Sequence, residues 1–172
     1  PTEEATNSEV KTLHVNYQYL IDEVKPGQSL SVDSGLVKLK VLSREDDHLR
    51  CEVIHGGFLK GRRHVNLPGV AVQLPSITEK DKEDLLFAKE MDLDGVALSF
   101  VRNADAVREA KEILGDESKG MKIIAKIENQ EGVENMEQIL EEADGIMVAR
   151  GDLGLEVDME ELPQLQRRMA YL

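Results

Sequence analysis

The 172-residue chain contains no tryptophan, three tyrosines and three phenylalanines. At 3% aromatic content it has no stacking platform for single-stranded nucleic acid. A single cysteine, Cys51, has no partner for an internal disulfide. In a strand-like pattern it reads as a small buried hydrophobe, suited to a reducing cytoplasm. No apolar run approaches the roughly 20 residues of a membrane-spanning helix. The opening residues PTEEATNS have neither the basic start nor the apolar stretch of a signal peptide. Positive charge is also scarce, with 21 Lys and Arg against 34 Asp and Glu and a net charge of −13. The deficit is uneven: residues 1–67 hold 9 basic against 10 acidic residues, residues 68–172 hold 12 against 24. A surface this acidic repels nucleic acid and anionic lipid, so neither is an expected partner. The four histidines, His14, His48, His55 and His64, have no metal-ligand spacing and read as surface residues.

What is present falls into two grammars, with a boundary near Leu67-Pro68-Gly69 where the charge balance changes. Before it, apolar residues alternate with polar ones: Leu13, Val15, Tyr17 and Tyr19; Leu30 and Val32; Val37, Leu39 and Val41; Leu49, Cys51 and Val53. That period of two predicts half-buried strands. The turn sequences Lys25-Pro26-Gly27-Gln28 and Asp33-Ser34-Gly35 lie between them. Residues 1–67 are therefore expected to be an all-β module with a frayed polar start. After Pro68 helical periods alternate with short apolar runs. A helix capped by Ser76 or Thr78 is expected to reach about Met91, followed by a strand over Gly95–Phe100. A second helix face comprises Ala104, Val107, Ala110 and Leu114, and a last helical segment runs from Met159 to Tyr171.

Between these lies the stretch from Met121 to Val157. The apolar run Ile123-Ile124-Ala125 ends in Lys126-Ile127-Glu128-Asn129. A helix with Val133, Met136, Ile139 and Leu140 on one face follows. The run Ile146-Met147-Val148-Ala149 then ends in Arg150-Gly151-Asp152. Two buried strands joined by an amphipathic helix predict a parallel βαβ unit, whose ligands lie beyond the carboxyl ends of its strands. Lys126 and Glu128, two apart, point to the same side, and Asp152 is expected just past the next strand. One cation and two carboxylates there can hold a divalent metal and an anionic substrate. Ser99 and Arg102 end the preceding strand at the same level; for Ser99, lining a pocket and simply ending a strand are both open. The strand–helix repeat by itself fits a closed (β/α) barrel and an open doubly wound sheet equally.

The segments Ile124–Gly132 (IAKIENQEG) and Asp144–Gly154 (DGIMVARGDLG) resemble the pyruvate kinase family. Val65–Gly69 (VNLPG), Thr78–Leu85 (TEKDKEDL) and Ser99–Arg102 (SFVR) follow the family's order and spacing. The resemblance implies an α/β fold: a partial TIM (β/α)8 barrel preceded by a small antiparallel β-barrel lid. Residues 1–67 would be the later part of that lid and residues 68–172 the middle of the barrel. It also implies transfer of the phosphoryl group of phosphoenolpyruvate to ADP, giving pyruvate and ATP. In that scheme Lys126 stabilises the phosphoryl group in flight, Glu128 and Asp152 bind Mg2+ or Mn2+, and Gly151 and Asp152 take the substrate carboxylate. Arg63 is a nucleotide contact, although the family's usual Lys-Lys-Gly stands here as Arg62-Arg63-His64. K+ is implied as a second cofactor with ligands outside this chain, and the intact protein is expected to be a homotetramer. The resemblance leaves the isolated chain expected to be inactive. Two other readings stay open: a metal-dependent lyase or aldolase of the pyruvate/phosphoenolpyruvate barrel superfamily, and a non-catalytic fragment.

Overall fold

Two sheets of opposite construction organise the chain in the computed structural model, which describes residues 11–61, 63–70, 72–115 and 120–172. The frayed start expected for residues 1–8, and Arg62 of the basic cluster, lie outside the described residues. The strands β1 (Ser29–Val32), β2 (Val37–Arg44), β3 (Leu49–His55) and β4 (Val65–Asn66) form an antiparallel sheet in the order β3-β2-β1-β4. Asp33, Ser34 and Gly35 between β1 and β2 all have positive φ, which Asp and Gly adopt most readily. The turn sets Leu30 opposite Leu39 and Val32 opposite Val37. Leu30 and Val41 then reach a small core with Val24 and Leu67.

The strand expected over residues 13–19 is not there. The chain instead turns into a short helix, α1 (Leu20–Glu23), within the stretch expected to be all β. Local bonds claim the backbone: Leu20 N–H donates to Tyr17 O, and Asp22 and Glu23 donate to Tyr19 O. The Tyr17 hydroxyl donates to Glu23 and accepts the Gln73 N–H at 2.8 Å. Leu13 is half exposed, so the alternation did not mark a buried face.

The second sheet is parallel. β5 (Gly95–Leu98), β6 (Lys122–Ile127) and β7 (Gly145–Val148) lie in that order, with Leu98 beside Ala125 and Ile127 beside Val148. The helices are α2 (Glu79–Glu90), α3 (Ala104–Leu114), α4 (Gln130–Glu134), α5 (Met136–Glu142), α6 (Arg150–Glu156) and α7 (Leu162–Tyr171). Thr78 opens α2 with a reciprocal cap: its hydroxyl accepts the Asp81 N–H and the Asp81 carboxylate accepts the Thr78 N–H. Ile123, Ala125 and Ile127 bury one side of β6 against Val107, Ala110 and Leu114 of α3 and Val133, Met136 and Ile139.

The single helix expected after β6 is broken at Asn135, whose side-chain amide donates to Arg102 O at 3.0 Å. Its apolar face holds, with Val133, Met136 and Ile139 buried. The helix α6, directly after β7, was not expected; Asp152, expected just past that strand, lies in its first turn. α7 starts at Leu162, later than expected, with Pro163 in its first turn where a missing N–H costs nothing. Among the described residues, no helix is long and apolar enough to cross a membrane.

Candidate functional site

The carboxyl end of β6 carries a lysine and a glutamate where the core side of the strand has only Ile and Ala. Because Lys126 and Glu128 are two apart, both project to one side. Lys126 Nζ is 2.7 Å from Glu128 Oε1. Parallel pairing of Leu98 with Ala125 brings Ser99 level with Lys126, and Lys126 Nζ donates to Ser99 Oγ at 2.8 Å. Ser99 therefore lines this site.

The chain after Ser99 bends sharply. Phe100 has φ +52, a left-handed conformation uncommon for an aromatic residue. The bend turns the Phe100 N–H onto Glu128 Oε2 at 2.7 Å, and Val101 N–H reaches Lys126 O at 3.3 Å. Glu128 is wholly buried, whereas the side chain of Lys126 is 25% exposed. An isolated carboxylate would not be kept in such a place, since burying a charge is costly without a partner. Oε2 has its hydrogen bond; Oε1 has no such donor among the described residues and is ion-paired with the Lys126 ammonium at 2.7 Å. Both are hard oxygen donors.

Asp152 lies in the first turn of α6 and is half-buried. The helix start is joined to β6, because Ala149 N–H donates to Ile127 O at 3.3 Å. That bond sets Asp152 and Glu128 at the same end of neighbouring strands. The amide groups of Gly151 and Asp152 belong to the first turn, where a helix offers no internal acceptor. A Cβ at Gly151 would meet nothing within 4 Å, so the space over this turn is open. One turn later, burial pushes the Glu156 carboxyl above its ordinary value, with the Asp152 charge adding to the effect and a hydrogen bond from Asn66 opposing it.

Among the described residues, no group of three or more His, Cys, Asp or Glu gathers as a metal cage. Glu128 and Asp152 carry carboxylates that could hold Mg2+, which commonly uses one or two carboxylates and keeps its waters or substrate oxygens. Arg63 goes elsewhere: its Nε is 3.4 Å from Asp33 Oδ2. Lys60 and His64 are exposed, as are His14, His48 and His55. Arg102 donates to Val72 O and Leu74 O, tying the segment before α2 to the end of β5.

The sequence reading missed the Phe100 N–H, Asn66 and Glu156. Nothing in local patterning marks a backbone amide as the donor to a buried carboxylate. The other two are 90 residues apart.

Over residues 2–171 the chain matches the family model described as pyruvate kinase, barrel domain. It is 46% identical over 156 residues to a pyruvate kinase of Clostridium perfringens (strain 13 / Type A), covering 90% of this chain and 33% of that protein. A pyruvate kinase of Geobacillus stearothermophilus is 47% identical over 158 residues, with 90% and 27% covered. One of Staphylococcus aureus (strain MRSA252) is 45% identical over 157 residues, with 89% and 26% covered. The chain spans about a quarter to a third of the length of these relatives.

Proposed function

Because the chain belongs to the pyruvate kinase family, we propose that it carries the phosphoryl-transfer centre of that enzyme, moving the phosphoryl group of phosphoenolpyruvate to ADP. Residues 1–67 are read as the later part of the lid and residues 68–172 as the central segment of the (β/α)8 barrel. The observation that carries the proposal is the buried Glu128, held between the Lys126 ammonium and the Phe100 N–H.

Phosphoryl transfer needs positioning and charge neutralisation more than covalent chemistry. Lys126 is partly exposed and oriented by Ser99, so its ammonium can face the phosphoryl group as negative charge spreads over its oxygens. Glu128 and Asp152 would hold Mg2+ or Mn2+, and a bound divalent cation would supply further neutralisation of phosphate charge. The first-turn amides at Gly151 and Asp152 would take the substrate carboxylate, which helix N-termini favour. Arg63 is the candidate nucleotide contact and would have to leave Asp33 to serve. K+ is implied by the family, with ligands outside this chain. The whole protein is read as a cytoplasmic homotetramer acting on phosphoenolpyruvate, pyruvate, ADP and ATP.

The test is a comparison of three variants in the full-length protein. Lys126→Met is expected to lower turnover about 10²–10³-fold, the loss typical of one pre-organised charge, with Mn2+ affinity retained. Glu128→Gln and Asp152→Asn are expected to weaken Mn2+ binding. A lyase predicts inactive carboxylate variants and a near-normal Lys126→Met, so an active Lys126→Met would overturn the proposal.

A further inference from the structure

The helix α6 is held at its two ends by different parts of the chain. At its start, Ala149 N–H is bonded to Ile127 O at the end of β6. Near its end, Glu156 Oε1 accepts a hydrogen bond of 3.0 Å from Asn66 Nδ2, at the end of β4. Beside that bond, Leu155 packs on the turn after β1: a Cβ at Gly35 would stand 3.1 Å from Leu155 Cδ2. The antiparallel sheet and the strand-end site are therefore linked through this one short helix.

The chemistry of the junction is unusual for a packing contact. Asn66 and Ser31, opposite each other across β4 and β1, are both 5% exposed in a sheet whose other buried residues are Val and Leu. A buried amide costs free energy unless it is bonded, so an apolar pair would pack here more cheaply. Asn66 finds its partner in Glu156, itself partly withdrawn from water. Asp152 and Glu156 are four apart on the same side of the helix. Only one turn separates them, so a rotation or shift of α6 imposed at Glu156 carries Asp152 with it.

We infer that Asn66 and Glu156 are positioning residues for Asp152: their hydrogen bond fixes α6 against the antiparallel sheet and so sets the second carboxylate in place beside Glu128. This rests on the reading of Asp152 as a metal ligand. It makes ligand geometry depend on how the antiparallel sheet is seated, which a contact serving only stability does not.

The test measures Mn2+ affinity of the full-length protein by electron paramagnetic resonance, with unfolding midpoints recorded in parallel. Asn66→Ala and Glu156→Ala are each expected to weaken Mn2+ binding about tenfold, the low end of losses seen when a supporting contact to a ligand is removed. The double variant should be no worse than either single one, because both delete the same bond. Glu156→Gln retains an acceptor for Asn66 and should restore affinity close to that of the parent. Additive losses, unchanged affinity in both alanine variants, or a Glu156→Gln as weak as Glu156→Ala would each overturn the inference. The last of these would mean that only the charge of Glu156 matters. If Asn66→Ala does not fold, the comparison of Glu156→Ala with Glu156→Gln decides the matter. Asp152→Asn is the separate control: unchanged Mn2+ affinity there defeats the ligand reading itself, while a loss there without one at Asn66 and Glu156 defeats only the positioning role.

Discussion

Gly132 lies so close to Val101 that a Cβ on it would stand 2.5 Å from the Val101 carbonyl oxygen. The Gly132 N–H is also taken by the side chain of Asn129, which caps α4 at 2.7 Å. The start of α4 is thus pressed against the bend that presents Ser99 and Phe100 to the site.

Replacing a helical glycine by alanine normally stabilises by about 0.5–1 kcal/mol. At Gly132 the clash reverses the sign, because backbone rather than a flexible side chain must move. Gly132→Ala is expected to destabilise by about 1–3 kcal/mol, the usual cost of overpacking. The Val101 N–H is bonded to Lys126 O, so turnover of the full-length protein should fall as well. Denaturant unfolding together with steady-state kinetics checks both outcomes.

Removing the Lys126 ammonium leaves Glu128 wholly buried with one hydrogen bond and, among the described residues, no other ion pair. Lys126→Met should therefore lower stability in metal-free buffer by about 3 kcal/mol, the scale on which breaking a buried pair is felt. Saturating Mg2+ should raise the unfolding midpoints of parent and variant alike, since Glu128 and Asp152 are kept in both. Midpoints with and without Mg2+ check this; a variant whose midpoint ignores Mg2+ would count against Glu128 as a ligand.

Asp144 accepts the Ile123 N–H at 2.9 Å and the Lys122 ammonium at 2.7 Å, tying the start of β6 to the start of β7. The backbone hydrogen bond first, and the lysine second, hold its carboxyl below the ordinary aspartate value. An acid whose folded pKa is depressed stabilises the fold above its unfolded pKa, and that stability is lost as pH falls through the folded value. The stability gap between the parent and Asp144→Asn should be full at neutral pH and close in acid, below the usual aspartate range. Thermal melts across that range measure it.

β5 and β7 are the edges of the parallel sheet among the described residues, and each presents an unpaired backbone ladder on one side. Such edges invite association with other chains. The purified 172-residue chain is expected to show no phosphoryl transfer and to self-associate. A coupled assay and sedimentation velocity test this; turnover within about tenfold of an intact relative, a smaller loss than that of one catalytic charge, would refute it.

Much of the architecture was legible because it depends on neighbours in sequence. The period-two runs became β1, β2 and β3, since side chains on a strand alternate between faces whatever surrounds them. Thr78 and Asp81 formed their cap because the reach is three residues. Tyr17 defeated the same reasoning. Its alternating neighbours look like a strand, yet the hydroxyl is committed to Glu23 and to Gln73, 56 residues on.

The sequence by itself determined that a lysine and a glutamate share one side of a strand end, because two residues of strand return to the same face. It determined the parallel βαβ unit and the family as well. Only the tertiary structure decided what those residues meet. Ser99 reaches Lys126 through strand pairing, and the Phe100 N–H reaches Glu128 through a left-handed bend. The helix α6 has two glycines in seven residues, a poor composition for a helix. It forms with Leu153 wholly buried, its start bonded to β6 and its end bonded to Asn66. These contacts join residues far apart in the chain, and their partners exist only once the two sheets are in place.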